Sequence, residues 1–210
     1  TAQDSMNRVL TLLKEVQEIP EPPPAPNGDR VDLNEVIRDA LEREKAAFER
    51  RGIKASFTPG DAPTVAASRK MIARLMELLL RDESANANEN GKLRISLASY
   101  AADAGWQGVR ITIEDDGPGL TPENLQCLFD PFFTRSGKPD QYGINLLAAY
   151  FMVPHHSGSI EAGKSELGGA RFDVLLPSDP GQIPIVQGEE AFLQRVMEAE
   201  RAWEKKLIGD

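Results

Sequence analysis

IEDDGPGL, residues 113–120, joins two incompatible backbone habits. The run that leads into it, VRITI, alternates apolar and polar side chains with the period of a half-buried strand. Asp115-Asp116-Gly117-Pro118-Gly119 then suits neither helix nor strand. Taken alone, Asp, Gly and Pro make an ordinary surface turn. The other reading is a binding loop, because glycines let a backbone approach a ligand closely and a carboxylate at a strand end accepts a hydrogen bond from it. The elements on either side decide between the two.

Immediately upstream, LRISLASY and VRITIEDDGPG read as antiparallel strands, the first entered through the turn NENGK. Further back, SRKMIARLMELLLRDESANA is a long helix with Met71, Leu75, Leu78 and Leu79 as its apolar stripe, and IKASF is a strand. VDLNEVIRDALEREKAAFERRGI forms another helix, with Leu33, Val36, Ile37, Ala40, Leu41 and Phe48 on one face and Gly52 as its stop. Downstream, TPENLQCLFDPFF predicts a short helix capped near Thr121 that runs into a loop. The polar segment TRSGKPDQYG precedes an apolar helix, INLLAAYFMVPHH, and two last strands, GSIEAGK and ARFDVLLP, are joined through SELGG. The order predicts an α+β fold, a two-layer sandwich with helices on one face of a mixed β-sheet.

Both ends lie outside that unit. Residues 5–19 place Met6, Val9, Leu10, Leu13 and Val16 on one helical stripe, and the prolines of PEPPPAPNGD then enforce a stiff linker. Beyond Pro177 a second linker precedes an amphipathic helix offering Phe192, Val196 and Trp203. The expected organisation is helix 1–19, linker 20–30, domain 31–177, then linker and helix 178–210.

The 210 residues are 40% hydrophobic and 27% charged, a globular balance, and the net charge of −9 repels phosphate backbones, so nucleic-acid binding is excluded as a general role. The single cysteine, Cys127, excludes an internal disulfide and suits a reducing, cytoplasmic setting. No apolar stretch approaches the roughly 20 residues that span a bilayer. The sequence begins at Thr1 rather than Met, so it reads as a fragment, and a membrane anchor would lie in the missing part.

Helix, strand, Asp-x-Gly-x-Gly, Phe-rich loop, Gly-containing segment, helix and Gly-Gly hairpin, in that order, resemble the catalytic domain of sensor histidine kinases, in the ATPase superfamily shared with gyrase, Hsp90 and MutL. The resemblance covers residues 31–177 and implies a Bergerat-type fold that binds ATP and Mg²⁺. It implies that Asp115 accepts the adenine amino group while Gly117 and Gly119 let the loop pass over the base. LFDPFFTR resembles the family's Phe box, with Phe129, Phe132 and Phe133 steadying a lid over residues 134–142, where Lys138 or Arg135 would neutralise phosphate charge. Gly168 and Gly169 fall on the family's last glycine turn. His155 and His156 match a helix-ending His-Gly-Gly turn, which implies a C-cap role. No other histidine occurs, so the phosphoacceptor lies outside this sequence. The first helix resembles the second helix of the dimerisation domain, which implies a homodimer, and the implied partner is a response regulator.

Two motifs depart from the family pattern. The helix motif Asn-Leu-Leu-x-Asn-Ala becomes Glu77-Leu78-Leu79-Leu80-Arg81-Asp82. A Glu at the place of Glu77 polarises the attacking water in related ATPases. Arg81, however, replaces the Mg²⁺-holding Asn, and a guanidinium has no lone pair to give a cation. A register shifted by one would put Asp82 at the metal position and turn Leu78 towards the nucleotide. In the glycine box only Gly143 survives, within Gln141-Tyr142-Gly143-Ile144-Asn145-Leu146, and each added Cβ narrows the backbone choices of a phosphate cradle. The expectation is an intact adenine end and a damaged phosphate end. It leaves two functions open: a weakened ATP-binding kinase domain, or a non-enzymatic module that docks a response regulator or partner kinase. In either case Arg81 must meet an anion, with Glu77 one turn back or Asp140 of the lid as the expected partner.

Overall fold

Asp32 and Ser68 start the two long helices. Asp32 accepts from the Asn34 amide at 2.8 Å and Ser68 from the Met71 amide at 3.4 Å, each meeting an amide that the first turn leaves without a partner. The structure, a computed structural model, describes residues 30–61, 63–101, 105–126, 128 and 144–179. In chain order the elements are β1 (Arg30–Asp32), α1 (Leu33–Arg50), β2 (Lys54–Thr58), β3 (Thr64–Ala66), α2 (Arg69–Asn86), β4 (Lys92–Ala101), β5 (Gln107–Asp115), α3 (Pro122–Gln126), α4 (Ile144–His155), β6 (Ser159–Lys164) and β7 (Ala170–Pro177).

Five strands form one sheet in the order β2-β4-β5-β7-β6. β2 runs parallel to β4, from Lys54 opposite Lys92 to Thr58 opposite Ser96, and the other neighbours are antiparallel. The sheet is therefore mixed, as the sequence predicts. The parallel pair needs a crossover, and β3 and α2 supply it. The α+β architecture agrees with the sequence reading. β1 and β3 pair as a separate two-stranded ribbon that the sequence reading did not include, since three residues carry no periodic signal.

Alternation along the strands separates the two faces. Leu93, Ile95 and Leu97 of β4, Val109, Ile111 and Ile113 of β5, and Phe172, Val174 and Leu176 of β7 are buried together with Leu33, Val36, Ile37, Ala40 and Phe48 of α1 and Ile72, Leu75 and Leu79 of α2. Each fully buried Leu or Ile contributes about 1.5–3 kcal/mol. The opposite face carries Arg94, Arg110, Thr112, Glu114, Arg171 and Asp173. α1 stops where its sequence predicts: Gly52 takes φ +67° and donates to the Glu49 carbonyl at 3.1 Å.

Candidate functional site

Asp115 is the last residue of β5 and continues the inward row Val109, Ile111, Ile113. Its relative exposure is 0%, so a carboxylate closes an apolar stripe. Burying an ionised carboxylate is strongly opposed unless hydrogen bonds replace its water. Here Oδ1 accepts from the Gly117 amide at 2.7 Å and from the Ala170 amide at 3.0 Å. The Asp115 carbonyl also accepts from the Gly169 amide at 3.2 Å. Ladder pairing between β5 and β7 ends at Glu114 opposite Arg171, and beyond that point the Asp115 side chain takes over the pairing with β7.

Two of the neighbouring glycines are required by space or backbone. A Cβ on Gly169 would stand 1.9 Å from Asp115 Oδ1 and 2.5 Å from the Gly117 nitrogen. Gly119 holds φ +73°, a left-handed conformation, under the carbonyls of Gly168 and Gly169. Loop 116–120 and the β6–β7 turn thus lie backbone to backbone around one carboxylate.

The C-terminal end of α2 forms the third wall. A Cβ on Gly117 would come within 2.7 Å of the Asn86 carbonyl oxygen. Asn86 Nδ2 donates to the carbonyl and Oδ2 of Asp82 at 2.8 and 3.2 Å, and Asn86 Oδ1 is buried with no hydrogen-bond partner among the described residues. Asp82, Glu83 and Asn86 are all buried. Sequence reasoning missed Asn86, although its signal was present: the stripe Leu75, Leu79 continues at helical spacing through Asp82 to Asn86 as polar residues. Arg51, just past α1, clamps this end by donating Nη2 to the Ala87 carbonyl at 2.7 Å and Nη1 to the Ser84 carbonyl. Asp116 is fixed from the same side, its Oδ2 accepting from the Lys92 amide at 3.0 Å and its carbonyl from Asn88 Nδ2.

Glu77 and Arg81 lie one turn apart on α2 and form an ion pair through Arg81 Nη2 and Glu77 Oε1. Glu77 is one of the two partners expected for Arg81; Asp140 lies outside the described residues. A second partner was not anticipated: Arg81 Nε meets Glu44 Oε1 of α1 at 3.1 Å. Glu44 stands on the buried stripe of α1 between Ala40 and Phe48, and an acid in such a position signals a cationic neighbour. Arg74 completes the chain at 3.0 Å from Glu77 Oε2. The carboxylate of Glu77 is therefore flanked by two guanidinium groups. Among the described residues no group of three or more His, Cys, Asp or Glu side chains could hold a metal ion. Lys138, Gly143, Arg135, Tyr142, the three phenylalanines and the lid fall outside the described residues.

The histidine turn follows its expected capping role. His156 Nδ1 lies 3.0 Å from the Met152 carbonyl and the His156 amide donates to the Val153 carbonyl at 3.0 Å. Burial pushes the His156 imidazole below its ordinary pKa, with the nearby His155 adding to the effect against the bond to Met152. Ser157 takes φ +56°, where the glycine of the motif would sit without strain. At α3, Thr121 Oγ1 accepts from the Asn124 amide at 3.2 Å, and the amide of Glu123 and the Thr121 hydroxyl hold the Glu123 carboxyl below the usual range.

Residues 67–180 match the family described as histidine kinase-, DNA gyrase B-, and HSP90-like ATPase. The sensor histidine kinase ZraS of Escherichia coli O157:H7 is 27% identical over 175 residues, which are 83% of this chain and 36% of that protein. The chain thus spans about a third of the length of the curated relatives it matches. The catalytic domain of histidine kinase ThkA superposes with a TM-score of 0.64 at 25% identity, covering 74% of this chain and 98% of that one. ThkA in complex with the response regulator protein TrrA gives the same TM-score at 22% identity, covering 86% of this chain and 50% of that one.

Proposed function

Because the chain belongs to the histidine kinase-, DNA gyrase B-, and HSP90-like ATPase family, we propose that it binds ATP with the adenine amino group against Asp115. Its described domain is the ATP-binding catalytic domain of the two-component sensor histidine kinases. The observation that carries the proposal is the fully buried Asp115 carboxylate, pinned by two backbone amides where two glycine-bearing segments meet the end of α2. A fixed, desolvated acceptor rewards a purine edge that carries a donor and penalises one that does not. Gly117 and Gly119 let the loop follow the base.

ATP, with Mg²⁺ where the site admits it, would supply the transferable phosphoryl group. Asp115, Gly117 and Gly119 would hold its base, and Lys138, Arg135 and Gly143 its phosphates. Catalysis of this kind rests on positioning and charge stabilisation. Glu77 is the chain's candidate for polarising the attacking group, but two arginines neutralise it. The reading is accordingly a weakened ATP-binding domain. The acceptor histidine would be carried by another part of the longer protein, with a response regulator as the downstream partner. Residues 5–19, which lie outside the described residues and read from the sequence as a helix, would pair with their copy in a homodimer, which light scattering would register as twice the chain mass.

The Arg74–Glu77–Arg81 cluster also favours a second reading, a non-enzymatic module that keeps the domain for docking. Calorimetric titration of ATP with and without Mg²⁺ separates the two. Binding that Asp115→Asn weakens about tenfold or more, or roughly 1.4 kcal/mol, supports the nucleotide site. Equal affinity in the wild type and Asp115→Asn removes it, and no binding at millimolar ATP leaves the docking module.

A further inference from the structure

Glu114 precedes Asp115 and points to the opposite face of the sheet, yet it is only 4% exposed. A buried carboxylate outside the proposed site needs a reason. Its Oε2 accepts from Arg94 Nε at 2.9 Å and Nη2 at 2.8 Å. Its Oε1 accepts from the Glu166 amide at 3.2 Å and the Ser165 hydroxyl at 3.4 Å. Arg94 Nη2 also reaches Glu166 Oε2 at 3.0 Å. Every one of these partners other than Arg94 lies in the β6–β7 turn.

That turn is the one that seats Asp115. Ser165 closes it: the Ser165 amide donates to the Gly169 carbonyl at 2.9 Å, the Gly168 amide to the Ser165 carbonyl at 3.1 Å, and the Leu167 amide to Ser165 Oγ at 2.9 Å. Its start is therefore held by Glu114 from the outer face, and its end is held by Asp115 from the inner face through the Gly169 and Ala170 amides. Two consecutive carboxylates grip one turn from opposite sides of the strand. A Cβ built on Gly169 would stand 1.9 Å from Asp115 Oδ1, so turn and carboxylate pack with no room for a side-chain atom between them.

We infer that Glu114 is a positioning residue for purine recognition: with Arg94 it fixes the β6–β7 turn and thereby the Ala170 amide that orients the Asp115 carboxylate. This rests on the nucleotide reading above. Glu114 touches no ligand in this scheme. Its effect reaches the base only through the turn, so it governs selectivity between purines that differ in their amino group.

The test compares ATP with inosine triphosphate, whose base lacks the adenine amino donor, for the wild type, Glu114→Ala, Glu114→Gln and Arg94→Gln. Amide hydrogen exchange at Ala170, measured without nucleotide, accompanies it. Glu114→Ala should lower the preference for ATP about fivefold or more and speed Ala170 exchange relative to Val174 in the same strand, the size expected for a lost charge-assisted hydrogen bond. Glu114→Gln keeps an oxygen for the Glu166 amide but loses the pair with Arg94, and should fall between the wild type and Glu114→Ala in that preference. Arg94→Gln, with Glu114 in place, should shift both readouts in the same direction and serves if Glu114→Ala does not fold. A general loss of stability would lower affinity for both triphosphates and leave their ratio unchanged. An unchanged ratio together with unchanged Ala170 protection overturns the inference. Wild-type protein that binds neither triphosphate defeats the nucleotide reading instead, and the Ala170 exchange rate then decides on its own whether Glu114 sets the turn.

Discussion

Gly169 shows how little room one residue leaves at this site. Its missing Cβ is the space that Asp115 Oδ1 occupies, and the close atoms also include the Gly117 nitrogen and the Asp115 carbonyl oxygen, both backbone. Because backbone cannot rotate away as a side-chain tip can, Gly169→Ala forces the turn outward. The expected cost is about 1–3 kcal/mol of stability, the range of overpacking in a closed interior, read from denaturant unfolding. The neighbouring Gly168→Ala has open space around its Cβ and is strained only through its φ of +105°. A Gly169→Ala protein as stable as the wild type would mean that Asp115 is not seated by this turn.

At the scale of elements, α1 and α2 are joined by apolar packing and by Arg81, which bridges Glu77 on its own helix and Glu44 on the other. Arg81 is 48% exposed, so the bridge belongs to the class of partly solvated pairs whose net contribution is about 1 kcal/mol or less. Arg81→Asn should therefore change stability by no more than about that amount while removing a charge from Glu77 and returning an acceptor oxygen to the helix. The expected functional outcome is a gain in Mg²⁺-dependent ATP binding, measured by calorimetry against the wild type. Tight wild-type binding that Arg81→Asn leaves unchanged would show that the missing acceptor does not limit the site. Glu44→Gln provides the control, since it loosens the bridge to α1 without creating a possible metal ligand on α2.

Across the whole molecule, no described helix is long and apolar enough to cross a membrane, and stability depends on buried polar groups that titrate. His156 is 2% exposed and its pKa is lowered, chiefly by burial. The unfolded chain therefore binds the proton first, and stability is lost as pH falls from about 6.5 towards the lower folded value. Thermal melts at descending pH should show this loss, and His156→Asn should flatten the profile in that window. At more acid pH, Asp173 contributes with the same sign: burial alone would raise its carboxyl, but hydrogen bonds from Arg171 and Thr112 hold it low. The legible part of this fold was its local periodicity. The long helices, the strand pairs on either side of 116–120 and the glycine turns each follow from spacing or from a conformation that glycine adopts freely, and the order of elements around Asp115, through the family resemblance it carries, marked the candidate site. What the sequence could not express was which distant backbone meets which side chain. The β1–β3 ribbon, the Glu44 partner of Arg81 and the grip of Glu114 on residues 165–166 all join positions far apart in the chain. Such contacts arise only once sheet order and helix packing bring distant segments together, because a hydrogen bond depends on distance and direction in space and leaves no periodic trace along the chain.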